Sequence, residues 1–318
     1  MKITDYFNNS KGKTLFSFEI LPPLKGHGID TIFQGIDPLM EFKPPFIDVT
    51  YHREETVLRT LPDNTFEKKV VRKRPGTVAI SAAIMNRYHV DAVPHIICGG
   101  FTKEETENAL IDLHFLGIDN ALLLRGDAAK HESSFHAHPQ GNKDCLELIK
   151  QVKNMNKGIY LDEELVEADK TSFCVGVGGY PEKHFEAPNL NFDLDYLKKK
   201  VDLGADYIVT QMFFDNKKFF DFVDACLANG INVPIIPGLK PLATKAQLSV
   251  LPKVFHIDMP QDLVVAALAC KDNKAVKQVG IDWAIQQCKE LKAAGVPVLH
   301  FYTMSKSEAT YAIAKEIF

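Results

Sequence analysis

Leu122-Leu123-Leu124-Arg125-Gly126-Asp127 is the stretch that decides the fold. An apolar run of strand length stops at a fixed positive charge, a glycine that lets another molecule approach the backbone, and a carboxylate. Polar groups delivered only at the carboxyl end of a buried strand are the signature of a parallel β/α unit, whose chemistry sits on that rim. Three other runs end the same way: Phe16-Ser17-Phe18-Glu19, Ile47-Asp48-Val49-Thr50-Tyr51 and Tyr207-Ile208-Val209-Thr210-Gln211. Four strands far apart in the chain thus each direct a functional group toward one place.

Outward from these runs, strand-like and helix-like segments alternate along the whole chain, the pattern of a parallel α/β protein. Strands are predicted at 15–20, 46–51, 92–98, 120–125, 173–179, 207–212, 233–238 and 298–303. Eight such runs predict closure into a (β/α)8 TIM barrel, with residues 1–318 forming a single domain. Helix punctuation supports this. Thr102-Lys103-Glu104-Glu105 reads as a capping box, Leu110, Leu113 and Leu116 follow at helical spacing, and Gly117 stands where a helix stops. Asn216 to Gly230 repeats the pattern, and Val276, Val279, Trp283 and Leu291 give a longer helix before Gly295. The polar stretch 128–143 is a loop after the fourth strand, on the catalytic rim.

At 318 residues and 46% apolar, the chain can bury a full core, and its net charge of −4 gives no support to nucleic-acid or anionic-membrane binding. The six cysteines form no Cys-x-x-Cys pair, so neither zinc nor a disulfide framework is indicated, and they read as reduced thiols of a cytoplasmic protein. The amino terminus lacks the apolar core of a signal peptide, and no run approaches the ~18 apolar residues of a membrane span.

Glu19 has apolar neighbours, so exclusion of solvent would keep it protonated as a general acid; a solvated strand-end glutamate is the plainer alternative. Arg125-Gly126-Asp127 admits two readings, a grip on phosphate or carbonyl with Asp127 supporting a developing cation, or a rim ion pair. Tyr180-Pro181-Glu182-Lys183-His184-Phe185-Glu186-Ala187 follows Gly176-Val177-Gly178-Gly179, whose small residues leave room for a planar ring, though a tight turn explains them too. The G-x-G-x-x-G spacing of a dinucleotide fingerprint is absent. Lys198-Lys199-Lys200 fan over a helix turn, placing one or two toward a phosphate or all in water. Lys68-Lys69-Val70-Val71-Arg72-Lys73-Arg74 reads as surface or an oligomer contact. His131, His136 and His138 lie in a loop without metal-ligand spacing, so no metal is expected. His52 and His95 end predicted strands, facing the site or packing at its edge. Gln211 offers both a donor and an acceptor, which suits the mixed edge of a pterin.

In order along the chain, Phe16-Ser17-Phe18-Glu19 with Pro22-Pro23, Val49-Thr50-Tyr51, Pro94-His95, Leu124-Arg125-Gly126-Asp127, Tyr180-Pro181-Glu182, Lys199-Lys200-Val201-Asp202, Thr210-Gln211, Ile236-Pro237-Gly238 and His300-Phe301-Tyr302-Thr303 resemble the methylenetetrahydrofolate reductase family. The blocks span residues 16 to 303. The resemblance implies a barrel carrying noncovalent FAD, with Thr50, Tyr51, His52, His95, Leu124, Arg125, Gly126, Asp127, Gly178, Tyr180, His184, Ala187, Asp193, Tyr196, Lys199 and Lys200 at cofactor-contacting positions. It implies NADH or NADPH as hydride donor, NADH by similarity to bacterial members, with both substrates sharing one flavin face in ping-pong order. Glu19 matches the general acid and Asp127 the pterin-binding carboxylate, and Gln211 and Gln247 match folate-holding residues. Leu251 stands where some members have phenylalanine, Lys306 where an arginine often contacts folate, and Gly141 where an aromatic contact to FAD is frequent. Residues 153–171 resemble an insertion. The family pattern further implies a cytoplasmic homo-oligomer of bacterial type, ending without a regulatory extension. Two competing expectations are a non-redox pterin-binding methyltransferase-type barrel and a barrel that binds flavin or folate without turnover.

Overall fold

In a computed structural model of the chain, which describes residues 1–128, 132, 134–304 and 306–318, the apolar runs become eleven strands. They are β1 (Leu15–Ile20), β2 (Phe46–Val49), β3 (Glu55–Thr60), β4 (Phe66–Val71), β5 (Asp91–Ile97), β6 (Asn120–Leu124), β7 (Cys174–Gly179), β8 (Tyr207–Thr210), β9 (Ile235–Ile236), β10 (Gly238–Leu239) and β11 (Val298–Tyr302). The helices are α1 (Ile3–Asn9), α2 (Asp30–Ile36), α3 (Thr77–Tyr88), α4 (Lys103–Phe115), α5 (Cys145–Met155), α6 (Leu190–Asp202), α7 (Asn216–Ala228), α8 (Gln247–Phe255), α9 (Gln261–Ala269), α10 (Asn273–Ala293) and α11 (Glu308–Ile317).

Nine strands pair in the order β10-β11-β1-β2-β5-β6-β7-β8-β9, all parallel. β9 and β10 are two halves of one strand interrupted by Pro237, whose missing N–H removes a rung. β9 pairs with β8 and β10 with β11, so the ring closes as the expected eight-stave barrel. Side chains supply what the backbone lacks at this seam: the Gly238 N–H donates to Thr210 Oγ1 at 3.0 Å, and Tyr302 Oη donates to the Thr210 carbonyl at 2.6 Å. A Cβ at Gly238 would meet the Tyr302 ring at 2.5 Å, so only glycine fits beneath it.

Period-two alternation divides the strand residues between two apolar layers. Phe46, Val93, Leu122, Cys174, Tyr207, Ile236 and Val298 fill the barrel's interior. Their neighbours Ile47, Leu123, Val175, Val177, Ile208 and Leu299 join the larger core beneath the outer helices. The capping box forms as read: Thr102 Oγ1 accepts from the Glu105 N–H at 3.0 Å, and Glu105 Oε2 accepts from the Thr102 N–H at 2.8 Å.

Two elements were not anticipated. The short helix α1 plugs the amino end of the barrel, where the Ile3 N–H donates to Asn120 Oδ1 at 2.9 Å and Tyr6 Oη donates to Asp91 Oδ2 at 2.5 Å. The basic run at 68–74 forms much of β4, which pairs antiparallel with β3 as a separate two-stranded ribbon. All six cysteines are free thiols, five of them buried. Among the described residues, no helix is long and apolar enough to cross a membrane.

Candidate active site

Where the inward-facing positions of the strands approach their carboxyl ends, the filling changes from apolar to ionisable. Glu19 on β1 is 9% exposed and is paired in register with Asp48 on β2 and Tyr302 on β11. His95 on β5 reaches in beside them, its Nε2 3.6 Å from Glu19 Oε2 and 3.5 Å from Asp48 Oδ2. Burial pulls the His95 imidazole down, but Glu19 and Asp48 outweigh it, and the net shift is upward from the ordinary histidine range. Asp48 Oδ1 and His95 Nε2 are buried without a hydrogen-bond partner, so the trio is held by charge at ion-pair distance and not by close hydrogen bonds.

Thr50, just past β2, lies with Oγ1 2.7 Å from Glu19 Oε1 and 3.0 Å from the Ile20 carbonyl. A hydroxyl has one hydrogen and two lone pairs. It can donate to an ionised Glu19, or turn to Ile20 and accept from a protonated one. Both charge states of Glu19 are therefore satisfied without moving the backbone. Thr303 Oγ1 donates to the Glu19 carbonyl at 2.7 Å, fixing the strand end itself.

On the next staves, Gly126 has φ of +86°, a conformation that favours glycine, and it turns the chain so that Asp127 points into solvent. Arg125 does not pair with Asp127. Its guanidinium bonds Glu186 and lies 4.8 Å from the Phe135 ring centroid. Of the glycines in β7, Gly176 and Gly179 are packing requirements, since a Cβ would meet Tyr207 at 2.4 Å or Ile208 at 2.7 Å. Gly178 alone faces the site, where a Cβ would stand 3.3 Å from Leu124 and 3.9 Å from the Tyr180 hydroxyl. Lys200 is buried and donates to the Gly178 carbonyl at 3.0 Å, with its Nζ 5.2 Å from the Tyr196 ring, whereas Lys199 is exposed. His184 stands edge-on to Tyr180 at 4.7 Å, and its N–H donates to Asp193 Oδ2 at 2.8 Å. Burial and Arg125 depress its imidazole. The Ala187 N–H closes this turn on the His184 carbonyl at 3.0 Å.

The remaining candidates are more dispersed. Tyr51 packs edge-on against Phe101 at 5.0 Å, and His52 is exposed. Gln211 Oε1 accepts from the Met212 N–H at 2.9 Å. Gln247 Oε1 accepts from the Ala243 and Thr244 N–H groups at 2.7 and 3.1 Å, which ties the first residue of α8 back to the loop before it. Leu251 is 3% exposed within a satellite cluster that includes Met212 and Tyr302, and Lys306 is exposed. His136 and His138 are exposed, and His131 lies outside the described residues. Among the described residues, no group of three or more potential ligands could hold a metal ion.

Sequence reasoning gave no role to Asp48, His300, Tyr302 or Lys240. His300 Nδ1 lies 2.8 Å from Ser17 Oγ, and burial depresses its imidazole. Lys240 follows β10 and donates weakly to the Tyr302 carbonyl at 3.5 Å. Burial pulls its ammonium group below the ordinary lysine range; Glu19 opposes this and Lys306 adds to it. The rule that picked out Arg125, an apolar strand ending in a charge, also fits Ile235-Ile236-Pro237-Gly238-Leu239-Lys240.

A profile for methylenetetrahydrofolate reductase matches residues 2–317. The chain is 32% identical to methylenetetrahydrofolate reductase (NADH) 1 of Arabidopsis thaliana over 98% of its own length and 50% of that protein's. It thus spans about half the length of such curated relatives. It is 30% identical to the 5,10-methylenetetrahydrofolate reductase of Salmonella typhimurium, covering 95% of this chain and 90% of that one. A Clostridium thermocellum protein that binds two copies of 5-methyl-5,6,7,8-tetrahydrofolic acid shares the fold, with a TM-score of 0.59 at 15% identity over 99% and 98% of the two chains. A barrel whose ionisable groups gather on one rim, matched by this family nearly from end to end, belongs to the methylenetetrahydrofolate reductases.

Proposed function

We propose that the chain reduces 5,10-methylenetetrahydrofolate to 5-methyltetrahydrofolate, using noncovalent FAD and NADH or NADPH in ping-pong order. The observation that carries this reading is Glu19, buried at a strand end with a hydroxyl partner able to serve both of its charge states, on the same rim as Arg125, Gly126 and Asp127.

The rim residues fit a flavin nucleotide. Gly178 leaves bare strand backbone beside Leu124 and Tyr180, and Arg125, Lys199 and Lys200 supply positive charge for a diphosphate. Thr50, Tyr51, His52, His95, Gly126, Asp127, His184, Ala187, Asp193 and Tyr196 complete the set assigned to holding it. When bound, FAD would supply the hydride relay between nicotinamide and folate. Glu19 gives its proton to the bridging nitrogen of the folate, opening the five-membered ring to an iminium ion. Thr50 then donates to the ionised carboxylate. Asp127 stabilises positive charge on the pterin, and Gln211, Gln247, Leu251 and Lys306 orient the folate. We further propose a cytoplasmic homo-oligomer.

The purified protein should be yellow, or become so on addition of FAD. Anaerobic stopped-flow mixing with NADH or NADPH should bleach it, and methylenetetrahydrofolate should restore the colour. A colourless protein that cannot be reconstituted with FAD overturns the reading and favours the non-redox barrel.

A further inference from the structure

Asp48 on β2 lies deeper in the barrel than the glutamate paired with it in register, its side chain 1% exposed against 12% for Glu19. A carboxylate this far from water is costly unless it is paired. Among the described residues, no lysine or arginine stands within ion-pair distance of Asp48; its partner is His95 Nε2 at 3.5 Å. The same nitrogen is 3.6 Å from Glu19 Oε2, while Thr50 takes the other oxygen of that carboxyl group. One ring nitrogen thus stands between two carboxylates. An imidazole, unlike a lysine or arginine, is charged only if its surroundings make it so.

The other groups around the ring leave its charge to those two carboxylates. Tyr207 on β8 and Tyr302 on β11 are phenols that burial keeps neutral, and burial depresses the His300 imidazole on β11. Lys240, beyond β10, is coupled to Glu19. β6 and β7 add Leu122 and Cys174 to the inner layer, and burial pushes the Cys174 thiol up. Glu19 and Asp48 both draw a proton onto His95 against its burial, but they are not equivalent. A general acid must hold its own proton before it reacts, and in that state Glu19 carries no charge. Among the described residues, Asp48 is then the one anion left beside the ring.

We propose that Asp48 is a positioning residue: it keeps His95 protonated, so that an imidazolium already faces Glu19 Oε2 when the acid gives up its proton. In that step the Glu19 O–H bond breaks, an N–H bond forms on the folate, and the electron pair stays on the carboxylate. The new charge is met at one oxygen by His95 and at the other by the Thr50 hydroxyl, both in place before it develops. Asp48 behind the ring offsets much of the imidazolium's field, so Glu19 is not driven to ionise ahead of its substrate. Without Asp48, the ring beside the protonated acid is neutral, and the carboxylate forms with one hydroxyl to support it. This inference rests on the reductase reading through Glu19, whereas the charge of His95 can be measured without it.

NMR of the full chain carrying 15N-labelled histidine reads that charge directly, with the His95 signals identified by their loss in His95→Gln. In the wild type, His95 should stay protonated to a higher pH than an ordinary histidine, and in Asp48→Asn it should lose its proton at lower pH. Asp48→Asn should also slow folate-dependent reoxidation of the flavin about tenfold or more, measured on the flavin-loaded fraction. Combined with His95→Gln it should add no further loss, because Asp48 acts through the ring. Asp48→Ser, smaller and also neutral, should repeat both effects and stands in if the asparagine variant does not fold. A His95 that is neutral in the wild type, one whose titration does not move in either Asp48 variant, or losses that add in the double variant overturns this role for Asp48 alone. A flavin-loaded wild type that does not turn over folate overturns the reductase reading, and this role with it.

Discussion

The two halves of the barrel interior are built from the same strands and do opposite things. Toward the amino ends, Phe46, Val93, Leu122 and Ile236 pack against one another, with Ile3 of the plugging helix closing the layer. Toward the carboxyl ends, the same inward-facing rows carry Glu19, Asp48, His95, His300 and Tyr302. In the apolar half, the aliphatic and phenyl groups gain by leaving water, although Tyr207 Oη is buried there without a hydrogen-bond partner. In the polar half, buried groups such as Asp48 Oδ1 and His300 Nε2 lack hydrogen-bond partners, a standing cost of the kind that collects at functional sites. A single strand is thus stabilising at one end and reactive at the other, with the change made within two or three residues.

Substitutions at the two ends should therefore fail in different ways. The largest effect is expected for Glu19→Gln, which keeps the shape but removes the proton. Folate-dependent reoxidation should slow about 10²–10⁴-fold, while reduction by nicotinamide stays within a few fold; unchanged folate turnover in stopped flow would remove Glu19 from the chemistry. Next comes Phe46→Ala at the apolar end, which should cost about 3–5 kcal/mol of stability by urea denaturation. The folded fraction should keep its rate constants, and a kinetic defect at full folding would blur the division between the halves.

The smallest and most discriminating effects are pH-dependent. The folded-state pKa of His95 is raised, so its stabilising contribution is fully present below the unfolded value and is lost as pH rises through the folded one. His95→Asn should flatten stability on the alkaline side of about pH 6.5. His300 is depressed, so its contribution is present above the unfolded value and is lost as pH falls through the folded one. His300→Gln should flatten the acid side instead. Denaturation midpoints for both variants between about pH 5 and 9 would check the signs, and slopes of the same sense would refute the charge arrangement.

Much of this architecture was legible in the residues because strands buried on both faces read as continuous apolar runs. The boundaries drifted where burial outlasts pairing: the second strand was expected over 46–51 but ends at Val49, and Thr50, whose N–H still bonds the Ile20 carbonyl at 3.1 Å, stays half-buried beyond it. Pro237 divided what reads as one strand. Helix α1 has no side-chain N-cap hydrogen bond and only seven residues, so little announced it. The ribbon escaped because most of β4 is exposed, which leaves a charge run where an apolar alternation would otherwise appear. Of the site, single charged residues at strand ends were readable. The grouping of His95 between Glu19 and Asp48 was not, because it depends on how neighbouring strands stagger around a closed ring.

The interruption at Pro237 has a consequence for mutational tolerance. Around most of the cylinder, adjoining staves are tied by peptide groups, which any amino acid provides. Between the sixth, seventh and eighth staves, two hydroxyls do part of that tying, Thr210 Oγ1 and Tyr302 Oη. The circumference of the ring thus depends locally on side-chain identity, immediately before the amide at Gln211. Altering either hydroxyl would slacken the hoop at this seam.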